Sequence, residues 1–328
     1  MLRAGTGRTR ALLLWVAIAA ALGPSACSES SVAIDRAART RAADAGVDWM
    51  LAHWRDMPPG WAYANLSRLA RVVKREPLAA KLDAALREDL ASGSHLALPD
   101  LPLEAPILDP GELMPTLLEL LRRRENGLAF SEPAENIGRL AAADDLAFWK
   151  SIPLRQRSTV VHLFDALDIP TTMRLEAVTA ALRQATLEQE PGGLAMRTAY
   201  VYAVTHVVLA RSGYFEQRAD PSGLEFAIPV LRGAIEYRLS RPVDVFALDQ
   251  ICEALVSLQL LGVPDDELSE RARAQVIALQ NEDGSWGTGE GAPRRKIHPT
   301  FNAIMALLDL QVVLPAPGSE AGVRPPAP

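Results

Sequence analysis

From Ser31 almost to the end of the chain, apolar residues recur three and four positions apart. Nowhere does a stretch of alternating β-branched residues stand between Gly or Asn-Gly turns, as a hairpin requires. The chain is therefore expected to be all-α. The alanine-rich segment from Ser31 to His53 has high helix propensity and a stripe through Val32, Ala33, Ala37, Ala38, Val47 and Leu51. Further helices are predicted at about 62–75, 77–92, 112–124, 144–150, 156–167, 171–188, 194–211, 224–239, 244–261, 266–280 and 299–312.

Prolines divide this series. Residues 96–115 carry Pro99, Pro102, Pro106, Pro110 and Pro115, a spacing that argues against a continuous helix and for an extended strap. The strap is expected to separate an N-terminal helical region, 27–95, from a main helical body, 116–313. Residues 314–328 are rich in proline and nearly free of large aliphatic side chains, so a disordered tail is expected there.

The first residues read as an address. Arg3, Arg8 and Arg10 precede a thirteen-residue apolar run from Ala11 to Gly23, and small residues follow, which is the plan of an export signal over residues 1–26. A membrane-spanning helix needs about 20 apolar residues, more than this run supplies. Ser25-Ala26-Cys27 resembles the end of a bacterial lipobox, with Pro24 where that pattern usually has leucine. The resemblance implies acylation of Cys27 and a lipoprotein of the bacterial cell envelope, held to a membrane without a spanning helix. Ser28 after the cysteine resembles the outer-membrane sorting pattern of Gram-negative lipoproteins. The alternative is a secreted or periplasmic protein. Removing residues 1–26, with three arginines and no acid, takes the formal charge from −6 to −9.

Such a charge excludes the basic footprint that a nucleic-acid partner requires. Two cysteines build no disulfide framework, and neither C-x-x-C nor H-E-x-x-H spacing occurs. Nor is there a G-x-S-x-G, a Walker A or a G-x-G-x-x-G sequence to support a hydrolase, an NTPase or a dinucleotide enzyme.

Near the C-terminus, Arg271-Ala272, Val276, Gln280, Gly284 and Trp286 fall at the positions of the QW repeat of terpenoid cyclases, with Gln275 at that repeat's aromatic position. Physically, Gln280 would end an outer helix, Asp283-Gly284 would make the turn, and Trp286 would cover the helix end while the glutamine amide meets free carbonyls. His298-Pro299-Thr300 then resembles the start of an inner helix in the α/α toroids of terpenoid cyclases and protein prenyltransferase β subunits. LDQICEALVSLQLLG and AYVYAVTHVVLARSGYF look like two more inner helices. The resemblance implies a complete or partial α/α toroid built from helix pairs, with an additional N-terminal helical group.

In prenyltransferases an Asp, a Cys and a His at the starts of inner helices bind zinc, which makes Asp249, Cys252 and His298 the candidate ligands here. The spacing is Asp-x-x-Cys where the family has Asp-x-Cys. A helix beginning near Asp244 also sets Asp249 about 7 Å along it, whereas His298 is expected at the very end of its own. Cys252 reads equally as a small buried hydrophobe. Tyr202 and His206 lie four apart and share a helix face beside Thr205, either as a polar cluster inside the ring or as helix packing. No catalytic residue is assigned; the candidates are His298, Asp249, His206 and Tyr202. No cofactor is assigned, zinc being the metal considered.

A class II terpenoid cyclase needs an Asp-x-Asp-Asp acid and aromatic walls. Neither Asp144-Asp145 nor Asp265-Asp266 has the third acid, and six Trp, five Tyr and seven Phe are few for such walls. Arg294, Arg295 and Lys296 read as a solvated loop face. The functional expectation is a non-catalytic envelope module that binds a peptide, a polysaccharide or an apolar small molecule. The alternative is a metal-assisted transferase or cyclase using a His/Asp/Cys cluster.

Overall fold

The fold is set by a helix that water barely reaches. In the computed structural model, which describes residues 36–92, 110–143, 145–189, 193, 195–288 and 293–318, every residue from Ala247 to Leu260 is buried. A helix buried all round must be central. Its polar members, Asp249, Gln250, Glu253, Ser257 and Gln259, therefore need partners or a cavity.

Together with it the described residues form fourteen α-helices and no strand. They are α1 (Arg36–His53), α2 (Pro59–Val72), α3 (Leu78–Ala91), α4 (Pro110–Glu125), α5 (Ser131–Ala143), α6 (Asp145–Ser151) and α7 (Leu154–Ala166). The series continues with α8 (Leu175–Glu188), α9 (Thr198–Arg211), α10 (Ala227–Leu239), the central α11 (Val245–Leu260), α12 (Glu267–Ala278), α13 (Pro293–Leu307) and α14 (Leu310–Val313). A short 3₁₀ turn, Trp54–Asp56, links α1 to α2. No helix among the described residues is long and apolar enough to cross a membrane.

Local chemistry starts these helices where they start. Asp244 caps α11 by accepting from the Ala247 amide at 2.7 Å, and Asp266 caps α12 by accepting from the Ser269 amide at 3.0 Å. Pro59 and Pro293 open α2 and α13, where a missing N–H costs nothing.

The packing order follows a pattern. α2 packs on α4, α4 on α7, α7 on α9, α9 on α11 and α11 on α13, and side chains from all six line one cavity. The intervening α3, α8, α10 and α12 pack on members of this set and give no side chain to the cavity. α1 packs along α13.

Five sequence expectations change. Residues 131–143, for which no helix is predicted, form α5; Pro133 sits in its first turn, where no helical hydrogen bond is lost. The strap expected over 96–115 ends earlier, because Pro110 opens α4 and Pro115 lies inside it; residues 93–109 fall outside the described ones. The 27–95 region is no separate group among the described residues, since α2 supplies Trp61, Asn65 and Arg68 to the shared cavity. α13 begins at Pro293 rather than at 299, with Pro299 in its interior. At the C-terminal end Leu314 is buried and the Pro315 carbonyl accepts from the Arg218 amide at 2.9 Å, so the chain is still packed where the tail was expected to begin. The rest of that tail, from 319, and residues 1–35, with the export signal and Cys27, lie outside the described residues.

Candidate functional site

The start of α13 decides the site. With the helix beginning at Pro293, His298 is its sixth residue, and Asp249 is the fifth of α11. The two therefore stand at matching depth, and the expected difference in level disappears. His298 Nε2 lies 3.4 Å from Asp249 Oδ1 and 3.7 Å from Glu253 Oε1. Among the described residues, Asp249, Glu253 and His298 each offer a ligand atom, all within 4.8 Å of one another.

Two helical i, i+4 pairs build this cluster. Asp249 and Glu253 share a face of α11, and His298 and Asn302 share a face of α13. The Asn302 amide donates to Asp249 Oδ1 at 2.7 Å and to Glu253 Oε1 at 3.4 Å, and lies 3.2 Å from His298 Nε2. α9 supplies an outer layer: the Tyr202 hydroxyl donates to Asp249 Oδ2 at 2.5 Å, and the Thr205 hydroxyl donates to Glu253 Oε2 at 2.6 Å.

Burial pushes the Asp249 carboxyl up, but the His298 charge and hydrogen bonds from His298, Tyr202 and Asn302 outweigh it and hold it below the usual range. Desolvation works against a charged His298, yet Asp249 and Glu253 raise it to about 10. Burial, joined by the Asp249 charge, raises the Tyr202 phenol, which stays a donor. His298 lies deep among the helices, but its ring borders the open cavity and its side chain is 59% exposed.

Of the residues singled out in the sequence, Asp249 and His298 are in direct reach of each other. Tyr202 reaches the cluster through its hydroxyl. His206 stands at its edge, with Nε2 at 3.9 Å from Glu253 Oε2 and Nδ1 at 3.3 Å from Thr159 Oγ1. Burial lowers the His206 ring in spite of Glu253, so it stays neutral. Cys252 is not in the cluster: it is fully buried in the apolar core, and burial, reinforced by Asp249 and Glu253, raises its thiol well above the ordinary value. Glu253 takes the place expected for it. Thr205 was named only beside Tyr202 and His206; Glu253 and Asn302 were not singled out, although the i+4 spacing from Asp249 and from His298 is a signal that finds both.

The QW-like segment is structural. Trp286 is fully buried, its Nε1 donates to the Val276 carbonyl in the last turn of α12 at 2.6 Å, and its backbone amide donates to Thr300 Oγ1 at 2.9 Å. The Gln280 amide donates to the carbonyls of Ala42 and Gly284 at 2.9 and 3.0 Å. Gly284 has φ +86°, and a Cβ there would meet the Ala45 carbonyl oxygen at 2.7 Å. Arg294 and Lys296 are engaged, with the Asp56 carbonyl and with Asp283.

The cavity that the cluster borders measures about 150 Å³. Trp61, Met114, Leu118, Leu209, Phe215 and Phe301 form most of its apolar wall. The donor set suits a divalent metal of the zinc class. Two carboxyl groups and one imidazole, once His298 gives up its proton to the solvent, are oxygen and nitrogen ligands of the required kind, each carboxyl group is oriented by an outer hydroxyl, and three protein ligands leave a coordination position free. Fold and site define an all-helical protein with a carboxylate–imidazole centre on the wall of an apolar cavity. No protein-family model matches the chain, and no curated protein matches it.

Proposed function

We propose that this protein is an exported, lipid-anchored module of the bacterial cell envelope, and that its helical body is an α/α toroid whose central cavity binds an apolar small molecule beside a divalent metal. The convergence of Asp249, Glu253 and His298, the last two lining the cavity, carries this reading. The toroid is supported by the alternation of six cavity-lining helices with helices packed on them. Cavity size favours a small molecule over a peptide or a polysaccharide, since a cavity of this volume admits a body of about benzene size. The anchor rests on the lipobox-like Ser25-Ala26-Cys27 after an apolar run.

Asp249, Glu253 and His298 would hold the metal, Tyr202 and Thr205 would orient its carboxylate ligands, and the bound ion would supply Lewis acidity at the cavity wall. One observation favours a second reading, a metal-assisted transferase or cyclase: Glu253 and His298 line the cavity, so an ion held by these three residues would be within reach of a substrate bound there. Metal analysis of the purified mature protein tests the proposal. Near-stoichiometric zinc that disappears in His298→Ala is expected; equal metal content in the two proteins would refute it.

A further inference from the structure

A second charged group borders the cavity, and nothing neutralises it. Arg68 of α2 lies with its guanidinium over the Tyr214 ring, 4.4 Å from the centroid. Among the described residues no carboxylate comes within ion-pair distance of it and no hydrogen-bond acceptor meets it. Arg71, one turn on, differs: it pairs with Glu216 at 3.3 Å and donates to the Tyr214 carbonyl at 3.1 Å. Burial, with the Arg71 charge adding to it and only the tyrosines opposing, lowers Arg68 to about 10. At physiological pH the guanidinium remains charged; it is part-buried and open to the cavity, so an anion entering there can meet it in place of water.

We propose that Arg68 is the head-group site of the cavity and binds the carboxylate of a small apolar carboxylic acid whose body lies against Trp61, Met114, Leu118, Phe215 and Phe301. This rests on the reading of the cavity as a ligand chamber. The guanidinium fork matches two carboxylate oxygens side by side. A single cation balances a single negative charge, which favours a carboxylate over a doubly charged phosphate. The volume allows a body of about six carbon atoms. Orientation follows from charge: the acidic Asp249–Glu253 pair repels the head group and Arg68 attracts it. The two ends are joined by a line of polar contacts, in which the Tyr214 hydroxyl donates to Thr159, Thr159 meets His206, and His206 faces Glu253.

Titration calorimetry of the mature protein with benzoate and hexanoate, each paired with its neutral amide, tests this directly. The acids are expected to bind about ten-fold or more tightly than the amides, and Arg68→Met to lose that preference while Arg68→Lys keeps part of it. If Arg68→Met does not fold, the acid–amide comparison in the unaltered protein and the Arg68→Lys titration decide. Acids and amides that bind alike, or acid affinity unchanged by removing the guanidinium, would overturn the Arg68 site and leave the chamber standing. Failure of every acid and amide to bind the unaltered protein would overturn both.

Discussion

The Tyr202 hydroxyl donates to Asp249 Oδ2 at 2.5 Å and so ties α9 to α11 at the cavity wall. Asp249 thereby keeps Oδ1 turned toward His298 and Asn302. Tyr202→Phe removes the only hydrogen bond this hydroxyl makes among the described residues. Stability is expected to fall by roughly 1.5–3 kcal/mol in urea unfolding, the range for a bond to a charged group. Zinc affinity is expected to fall about ten-fold or more, as for a lost outer-layer partner. A variant with unchanged unfolding midpoint and zinc affinity would show that the bond orients nothing.

α2 and α4 approach at Gly60. A Cβ there would stand 2.6 Å from the Glu119 backbone nitrogen and 2.8 Å from the Leu118 carbonyl carbon, and neither is a side chain that can swing away. Gly60→Ala is expected to cost about 2 kcal/mol or more through overpacking. Gly193→Ala, whose Cβ would meet nothing within 4 Å, is the control. Equal melting temperatures for the two variants would contradict the close approach.

His162 makes stability depend on pH. Its ring lies 4.9 Å from Tyr214, and burial, with Arg68 and Arg71 adding to it, lowers it from 6.5 to about 4. The unfolded chain therefore takes up this proton more readily than the folded one. The contribution of His162 is complete above pH 6.5 and is lost as the pH falls toward 4. His162→Gln is expected to flatten the loss of stability over this window, as followed by unfolding at pH 7, 5.5 and 4.5. An unaltered slope would mean that His162 titrates alike in both states.

The envelope reading makes a separate prediction. Cys27→Ser removes the thiol that would be acylated, so the variant is expected in the soluble periplasmic fraction or the medium, with the unaltered protein in the membrane fraction. Continued membrane attachment of the variant would refute the lipid anchor.

Helical periodicity made the all-α class legible in the sequence because amphipathic spacing is a local property. Helix starts that depend on proline were harder to read. His298-Pro299 resembles a helix start, yet Pro293 opens α13 and the interior Pro299 is accommodated. That difference of six residues decides whether His298 can reach Asp249. α5 was missed for a related reason, since Pro133 and Gly138 both read as breakers. In the site, Asp249 and His298 were legible through the resemblance to the zinc ligands of prenyltransferases. Glu253 and Asn302 required the i+4 rule to be applied to each, and Arg68 required knowing that α2 belongs to the same cavity wall. Cys252 was attractive by analogy, but the next residue along the helix, Glu253, faces the cavity.

The most direct test of the central claim is anomalous scattering at the zinc absorption edge from crystals of the mature protein grown with zinc. The account predicts a peak bounded by Asp249, Glu253 and His298, absent from His298→Ala crystals. A fully zinc-exposed crystal with no peak there, or with its peak at another site, would contradict it.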